Sequence, residues 1–545
     1  MQLVMVALSP ALEDLNENSP FVPKAKNEYG VTSPLKFETD ESSVNFSLGT
    51  MESGLTEKRL LKTNTTFWED ARHFHEGTIP QSIVLAFVVG IACGISAYVY
   101  YFVLELLLDL VWKTLPEKYI VDVWPEWAHV LWIPLVGFTL VICVGLSVLF
   151  LGDPGDLPYT IKCVHEKGYI AMSHVMPMVA ASLFSIVGGG SLGPEAPLVA
   201  VCAALGGFIS RKVFKQKNRN VVRKHTLMGM AGALSAFFGV PLGGSLFALE
   251  VNSRFGVEYF EHIVESILCG EVCLAVFRSL ARLPIQSIWS ITTPKLDRST
   301  PLQVLIGFAL GLTGALVAYC FTLMHWRVMA LFSKLDLLCE ERAVYRGLLG
   351  GSVVLGLGMI IPHTLFWGET EFQTIASLSP ASTLPHVWPT SGLIGFEMES
   401  TLTCLIVGIT KLVAISFTVV GGYRGGFIFP LFTSGAAFGR AIAFLIPAIP
   451  VQLAVLCMAA AINVALTRTA IATSLILVFL SGEQDSMSAV LASSLASLFA
   501  TAYMVRRYEL FDYIFVILNL YAFLTLCADA HLTSVAVHKI SNREE

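Results

Sequence analysis

Charge is what this 545-residue chain has least of: only 14% of its residues are Asp, Glu, Lys or Arg. A soluble domain carries roughly 25%, so a water-soluble globular fold is excluded. The basic residues are scattered, the formal net charge is −6, and no nucleic-acid motif is visible, which excludes nucleic acid as a partner. Paired metal-ligating cysteines are missing as well. Eleven cysteines stand singly, most inside apolar runs, as at Cys93, Cys143, Cys202, Cys320, Cys404 and Cys457. Cys269 and Cys273 fall four apart on a predicted helix without a supporting histidine, and read as small apolar side chains rather than metal ligands. HExxH does not occur. His165 and His174 lie near the key carboxylate described below, but in no catalytic arrangement. No enzyme activity, metal or cofactor is expected. The N-terminus has no apolar run for a secretory signal, and Glu13, Asp14, Glu17, Glu28, Glu38, Asp40 and Glu41 make it too acidic for an ordinary transit peptide.

What the chain does have is apolar length: 54% hydrophobic residues and a mean hydropathy of +0.68. These predict an all-α, multi-pass integral membrane protein whose partner is the lipid bilayer. Residues 1–77 read as a polar, mostly disordered tail with one helix near Thr66 to His75. Asn45 and Asn64 match the glycosylation pattern, which chance often produces. A membrane domain is expected over 78–530, in two related halves at about 78–285 and 299–530. Beyond it, 531–545 reads as a short tail, with no soluble C-terminal domain and no CBS domains. The first span is expected at Ile79 to Val111, with Glu105 and Asp109 at its interfacial end, and the second at Val130 to Phe150. Pro154, Gly155 and Pro158 then forbid a continuous helix. Asp156 or Gly155 could cap a short helix from Leu157 to His165. A basic loop from Arg211 to Lys224 should face the cytoplasm or its equivalent, and a short apolar segment follows at Met228 to Phe238. Glu250 and Arg254, four apart, are expected to pair at a helix end. Several later segments run only ~10–15 residues, which suggests broken or re-entrant helices. The last apolar segment is Ile514 to Leu526.

The chain is organised around Gly188 to Gly206, GGGSLGPEAPLVAVCAALG. Glu195 stands there between Pro194 and Pro197, with apolar runs on either side. Locally this reads either as a surface turn or as a carboxylate inside the membrane. In the membrane a charge costs roughly 2.5–3.5 kcal/mol on insertion scales and marks a functional site by default. A repeat separates the two readings. Pro197-Leu198-x4-Ala203-Ala204-Leu205-Gly206 recurs 233 residues later as Pro430-Leu431-x4-Ala436-Ala437-Phe438-Gly439. More loosely, VPLGGSLFAL from Val240 recurs as TAIATSLILV from Thr469. Duplicated membrane halves broken by Gly and Pro at matching places mark transporter-like folds, with the site between the halves. Both helix starts, Gly193-Pro-Glu-Ala-Pro197 and Gly425-Gly-Phe-Ile-Phe-Pro430, place small residues, free amides and then a proline inside the first turn. Free amides at the positive end of a helix form an anion site. Such a site binds weakly enough to release its ion, as conduction requires.

With these residues in hand, the chain resembles the CLC family of chloride channels and proton-coupled anion exchangers. Gly193-Pro-Glu-Ala-Pro197 is similar to the family's G-x-E-G-P element, and Gly426-Phe-Ile-Phe-Pro430 to its G-x-F-x-P element. Pro154-Gly-Asp-Leu-Pro158 looks like a degenerate G-S-G-I-P element. Phe238 to Glu250 and Leu510-Phe-Asp-Tyr-Ile514 resemble two further family elements. The Pro-Glu form of the first motif is similar to the plastid and cyanobacterial-like branch. The resemblance implies an inverted repeat of tilted and broken helices, and a homodimer with one anion pathway per subunit. It implies Glu195 as the gate, responding to membrane voltage or pH, with Gly193, Gly425 and Gly426 as motif glycines. Anion-binding positions would be Ala196, Phe427, Ile428, Phe429, Gly155 and Phe511. The family's central serine and tyrosine fall on Gly155 and Phe511, so both hydroxyls are missing and selectivity for chloride over nitrate or bromide is left open. The exchangers' internal proton glutamate falls on Val251, which favours a chloride channel over a chloride/proton antiporter, although a proton path through Glu250, Glu258 or water is conceivable.

Overall fold

A computed structural model describes residues 79–506 apart from 156, 253–256, 284–287, 290 and 292–299. The expected helix near Thr66 to His75, the last apolar segment and Phe511 lie outside the described residues. The described chain is helical: α1 (Ile79–Asp109), α2 (Trp132–Leu151), α3 (Leu157–Glu166), α4 (Val175–Val187), α5 (Glu195–Phe208), α6 (Arg219–Phe238), α7 (Pro241–Asn252), α8 (Val257–Ala281), α9 (Pro301–Lys334), α10 (Ala343–Ile360), α11 (Glu371–Ser377), α12 (Thr401–Val420), α13 (Ile428–Leu445), α14 (Val451–Thr467), α15 (Ala470–Ser481) and α16 (Met487–Arg506). Among the described residues, eight helical segments are long and apolar enough to cross a membrane. Leu106 and Phe102 on α1 and Leu305 on α9 are exposed, as outward stripes must be when the solvent is hydrocarbon. The chain is an integral, multi-pass membrane protein.

Direction follows from contacts at the helix ends. Lys224, near the start of α6, bonds Ser82 at the start of α1 at 3.0 Å, and pairs with Glu265 near the start of α8. These three starts therefore share one face, here the basic face. The far end of α1 meets the start of α2, where Trp132 Nε1 donates to the Val111 carbonyl at 3.1 Å. α2 then returns to the basic face, where Gly145 abuts Val344 at the start of α10. The stretch expected as a short apolar segment at Met228 is longer: α6 starts at Arg219. Its basic first turns are held by partners, with Asn218 capping the Asn220 amide at 3.0 Å.

The repeat is inverted. α4 runs away from the basic face and ends against Trp112, whose Nε1 donates to the Val187 carbonyl at 2.7 Å. Its counterpart α12 runs toward the basic face and ends against Arg346, whose Nε donates to the Val420 carbonyl at 2.6 Å. Val187 and Val420 are equivalent positions, so the same orphan carbonyl of a helix end is satisfied twice by different side chains. The looser repeat also holds. Gly239 ends α6 in the left-handed region at φ 68°, and Arg468 ends α14 there at φ 62°, a conformation that normally favours glycine.

Candidate functional site

A few helix starts among the described residues are capped by side chains of their own loops. Thr300 with Gln303 and Ser400 with Thr403 form capping boxes at α9 and α12. At the starts of α5 and α13, Pro194 and Phe427 offer no side-chain cap. Their first amides are free for another acceptor.

The two loops meet head to head. Gly193 N–H donates to the Gly426 carbonyl and Gly426 N–H to the Gly193 carbonyl, both at 2.7 Å. Two further bonds flank this bridge in the same reciprocal sense. Arg424 N–H donates to Ser185 Oγ at 2.9 Å, and Ser191 N–H to Thr418 Oγ1 at 3.3 Å. Ser185 is equivalent to Thr418, and Ser191 to Arg424. The local two-fold axis therefore passes through the glycine bridge, deep between the halves.

Glu195 supplies the missing cap. Its Oε1 accepts the Ile428 amide at 3.0 Å, 233 residues away, so the carboxylate of one half sits on the helix start of the other. Glycine is required on both sides. A Cβ at Gly426 would strike Glu195 Cγ and Cδ, and one at Gly193 would strike Oε2. Glu195 is 1% exposed, and its Oε2 has no hydrogen-bond partner. A buried carboxylate with one free oxygen on an amide-rich helix start has the charge and the placement of a bound anion. An apolar cavity runs from it past Val199, Met230 and Leu234 to Val251 and Thr467. Behind the helix start, Phe429 packs at 5.3 Å from Phe237, 5.6 Å from Phe238 and 5.8 Å from Phe432, which fixes the direction of its first amides.

Of the positions singled out in the sequence, Glu195, Ala196, Gly426, Phe427, Ile428 and Val251 line this one cavity. Gly193 and Gly425 abut each other across the bridge, and Phe429 is the buried anchor. Gly155 stands apart: it takes a φ of +75°, and its amide is engaged by Asp153 Oδ1 at 2.9 Å. Glu250 accepts the Ile471 and Ala472 amides at 3.3 and 3.1 Å, so it caps α15. Arg254, its expected partner, lies outside the described residues.

A second buried polar group escaped the sequence reading. Lys411 on α12 is fully buried and donates to the Thr364, Leu365 and Phe366 carbonyls at 3.1, 3.0 and 2.8 Å. These carbonyls lead into a cluster on the face opposite the basic one. There, Trp367 Nε1 donates to Glu369 Oε2 at 3.1 Å, and His386 Nδ1 lies 3.2 Å from Glu371 Oε1. Burial pushes the Glu369 carboxyl up to about 7. Burial would raise Glu371 too, but the His386 hydrogen bond and charge bring it below the usual carboxylate range. Burial works to lower His386, and Glu371 outweighs it, so the imidazole stands above its ordinary value. The available signal was a lysine inside an apolar run with acidic residues in the preceding connector, a pattern that marks a buried charge needing partners.

Comparison with known proteins agrees with this geometry. The family described as voltage gated chloride channel matches residues 155–503. YfeO of Escherichia coli, a protein named for ion transport, is 25% identical over 389 residues, covering 70% of this chain and 84% of its own. Its counterpart in Shigella flexneri is 25% identical over 392 residues, with the same coverage. Among solved structures, a slow cyanobacterial Cl-/H+ antiporter aligns with a TM-score of 0.63 at 18% identity, covering 79% of this chain and 99% of its own. A CLC-type fluoride/proton antiporter aligns with a TM-score of 0.59 at 19% identity, covering 81% and 98%.

Proposed function

The chain belongs to the voltage-gated chloride channel family, and on that footing we propose that it is a transmembrane anion channel carrying chloride or a related small anion, with Glu195 as its gate. The observation that carries this reading is the bond from the Ile428 amide to Glu195 Oε1 at 3.0 Å. The carboxylate holds the place of the anion on the helix start. Neutralised or swung away, it leaves free amides and a helix dipole to the ion. Those groups favour an anion without the full positive charge that would trap it. Gating is by voltage or pH acting on this one side chain. No bond in the anion is made or broken, so the protein is not an enzyme and needs no cofactor. The working unit is a homodimer with one pathway in each subunit. Apolar side chains exposed on the α7, α15 and α16 side, Leu242, Phe479 and Phe499, supply a surface for the second copy.

Chloride/proton antiport is the second reading, and two observations favour it. Two solved structures with which the chain aligns are described as antiporters, and the Glu195 cavity does reach the position of Val251. Against it, valine holds no proton, and the wall between the two residues is apolar. Purified full-length protein in liposomes separates the readings. With a chloride gradient and an opposing pH gradient, a channel's reversal potential follows chloride alone. A reversal potential that moves with the pH gradient overturns the channel in favour of the antiporter. Absence of any anion flux overturns both.

A further inference from the structure

A second charged cavity lies on the basic face, below the glycine bridge. It is bounded by the end of α2, the α9–α10 connector and the loop that enters α13, and its charged lining is Asp153, Glu340, Arg346 and Arg424. Arg424 Nη2 lies 2.5 Å from Asp153 Oδ1. The two residues belong to the two backbone segments that matter most. Arg424 stands four residues before Ile428, whose amide holds Glu195. Asp153 stands two before Gly155 and accepts its amide with the same oxygen that meets Arg424. The ion pair therefore bridges the approach to α13 and the approach to α3. Arg424 is anchored through its backbone to Ser185 Oγ at 2.9 Å, so its Cα is fixed by the reciprocal bonds around the two-fold axis. Its Nε is buried and has no partner. Arg346, the other cation of the cavity, has its Nε committed to the Val420 carbonyl.

We propose that Arg424 is an anion-recruiting residue at the basic-face mouth of the pathway, and that Asp153 is a competing internal ligand which keeps its affinity low. The ligand class is a small monovalent inorganic anion, chloride being the probe. An unpaired guanidinium in a confined cavity would hold an anion tightly and slow its release, whereas conduction needs weak, replaceable contacts. Pairing with Asp153 solves this. An arriving anion takes the guanidinium face as the carboxylate swings out, and the carboxylate returns as the anion moves on toward the Ile428 amide. Arginine suits the exchange, because its fork offers several donors in one plane and stays charged throughout. The Gly155 amide is already taken by Asp153, so attraction on this side comes from a charge set back from the Ile428 amide. The inference rests on the anion-transport reading of the Glu195 site.

The test is concentration-dependent chloride flux from liposomes holding the full-length protein, with Glu195→Gln in every background so that the gate is not limiting. Arg424→Gln should raise the half-saturating chloride on the basic face by roughly tenfold, in line with loss of a focused charge at a mouth. Asp153→Asn should move it the other way, lowering half-saturation and also the maximal flux as release slows. Arg424→Lys should retain most of the affinity, and keeps the test open if the glutamine variant does not assemble. A pair that only braces the loops predicts the same loss from Arg424→Gln and Asp153→Asn. Shifts of the same sign, or no shift in either, overturn the proposal while leaving the channel intact. No flux from the Glu195→Gln parent overturns the function on which it rests, and this inference with it.

Discussion

Gly193 and Gly426 are equivalent residues of the two halves, and they bond to each other twice, N–H to carbonyl in both directions at 2.7 Å. Inverted repeats usually meet through side chains. Here the backbone itself lies on the local axis. One consequence is asymmetry at the next position. Glu195 reaches across to Ile428, while its equivalent, Ile428, has no polar side chain to return the bond. The site is therefore a two-fold scaffold carrying a single carboxylate, which suits the gate proposed above.

That asymmetry sets the first prediction. Glu195→Gln keeps the size and the accepting oxygen but removes the charge that competes with an anion for the Ile428 amide. Charge-assisted bonds are roughly twice as strong as neutral ones, so the variant side chain should yield the site more readily. Anion flux in liposomes should rise several-fold and lose most of its response to pH. Correctly inserted variant protein with the flux and pH response of the parent counts against Glu195 as the gate.

Gly426→Ala tests the same geometry from the backbone side. The new methyl would occupy the space of Glu195 Cγ and Cδ, while Gly426 itself can keep its bonds to Gly193. The side chain, being the softer partner, should be driven out of the docked position. Flux should then rise as in Glu195→Gln, and the two changes together should add nothing further. Additive effects would show that Gly426 acts elsewhere.

How far the sequence exposed this site depends on what each residue does. Glu195, the motif glycines and the second helix start were legible because they act through backbone conformation and one isolated charge, and because a repeat printed the same pattern twice. The fold was legible for the same reason, down to Pro197 and Pro430 in the first turns. The reciprocal bonds of Ser185 and Thr418 were not, since a serine and a threonine in apolar helices look like ordinary small residues. Gly155 is a different case. Its motif placed it at the pathway, but Asp153 takes its amide, and nothing local announces that Arg424 will arrive from far along the chain to share the same carboxylate. Glu250 likewise found the α15 amides, a long-range partner that spacing alone does not reveal.

Stability should depend on pH through the cluster opposite the basic face. Glu371 is held below its ordinary value by His386, so its contribution is full above the free carboxylate range, about 4.3, and fades as pH falls. His386 is held above its ordinary value by Glu371, so its contribution is full below about 6.5 and is lost as pH rises through the raised value. Glu369 is pushed up to about 7 by burial, so the native state binds the extra proton and loses stability as pH climbs toward that value. Together these place the highest thermal midpoint in detergent in the mildly acidic range, with a fall on the alkaline side. Glu369→Gln should make that fall shallower. A midpoint that rises steadily from mildly acidic to mildly alkaline pH contradicts the assignment.

Lys411 gives the sharpest prediction about what holds the fold together. Its ammonium has three protons and spends them on three successive carbonyls, Thr364, Leu365 and Phe366. Three carbonyls in a row can face one point only if the chain turns tightly, and Phe366 completes that turn at a φ of 56°, a left-handed conformation that is uncommon for a bulky residue. The turn in turn sets Phe366 against Trp112, with ring centroids 5.2 Å apart, and so ties the start of the Glu369 cluster to the far end of α1. Lys411→Met would preserve the length and most of the packing but leave three buried acceptors without a donor. Each unsatisfied buried group costs about 1–3 kcal/mol. The variant should therefore melt well below the parent in detergent, and its pH profile should lose definition as the cluster behind the turn loosens. Lys411→Arg should not rescue it, because a planar fork cannot direct three donors to three carbonyls gathered around a point. A Lys411→Met protein that melts with the parent would show that the turn is held by the aromatic packing alone.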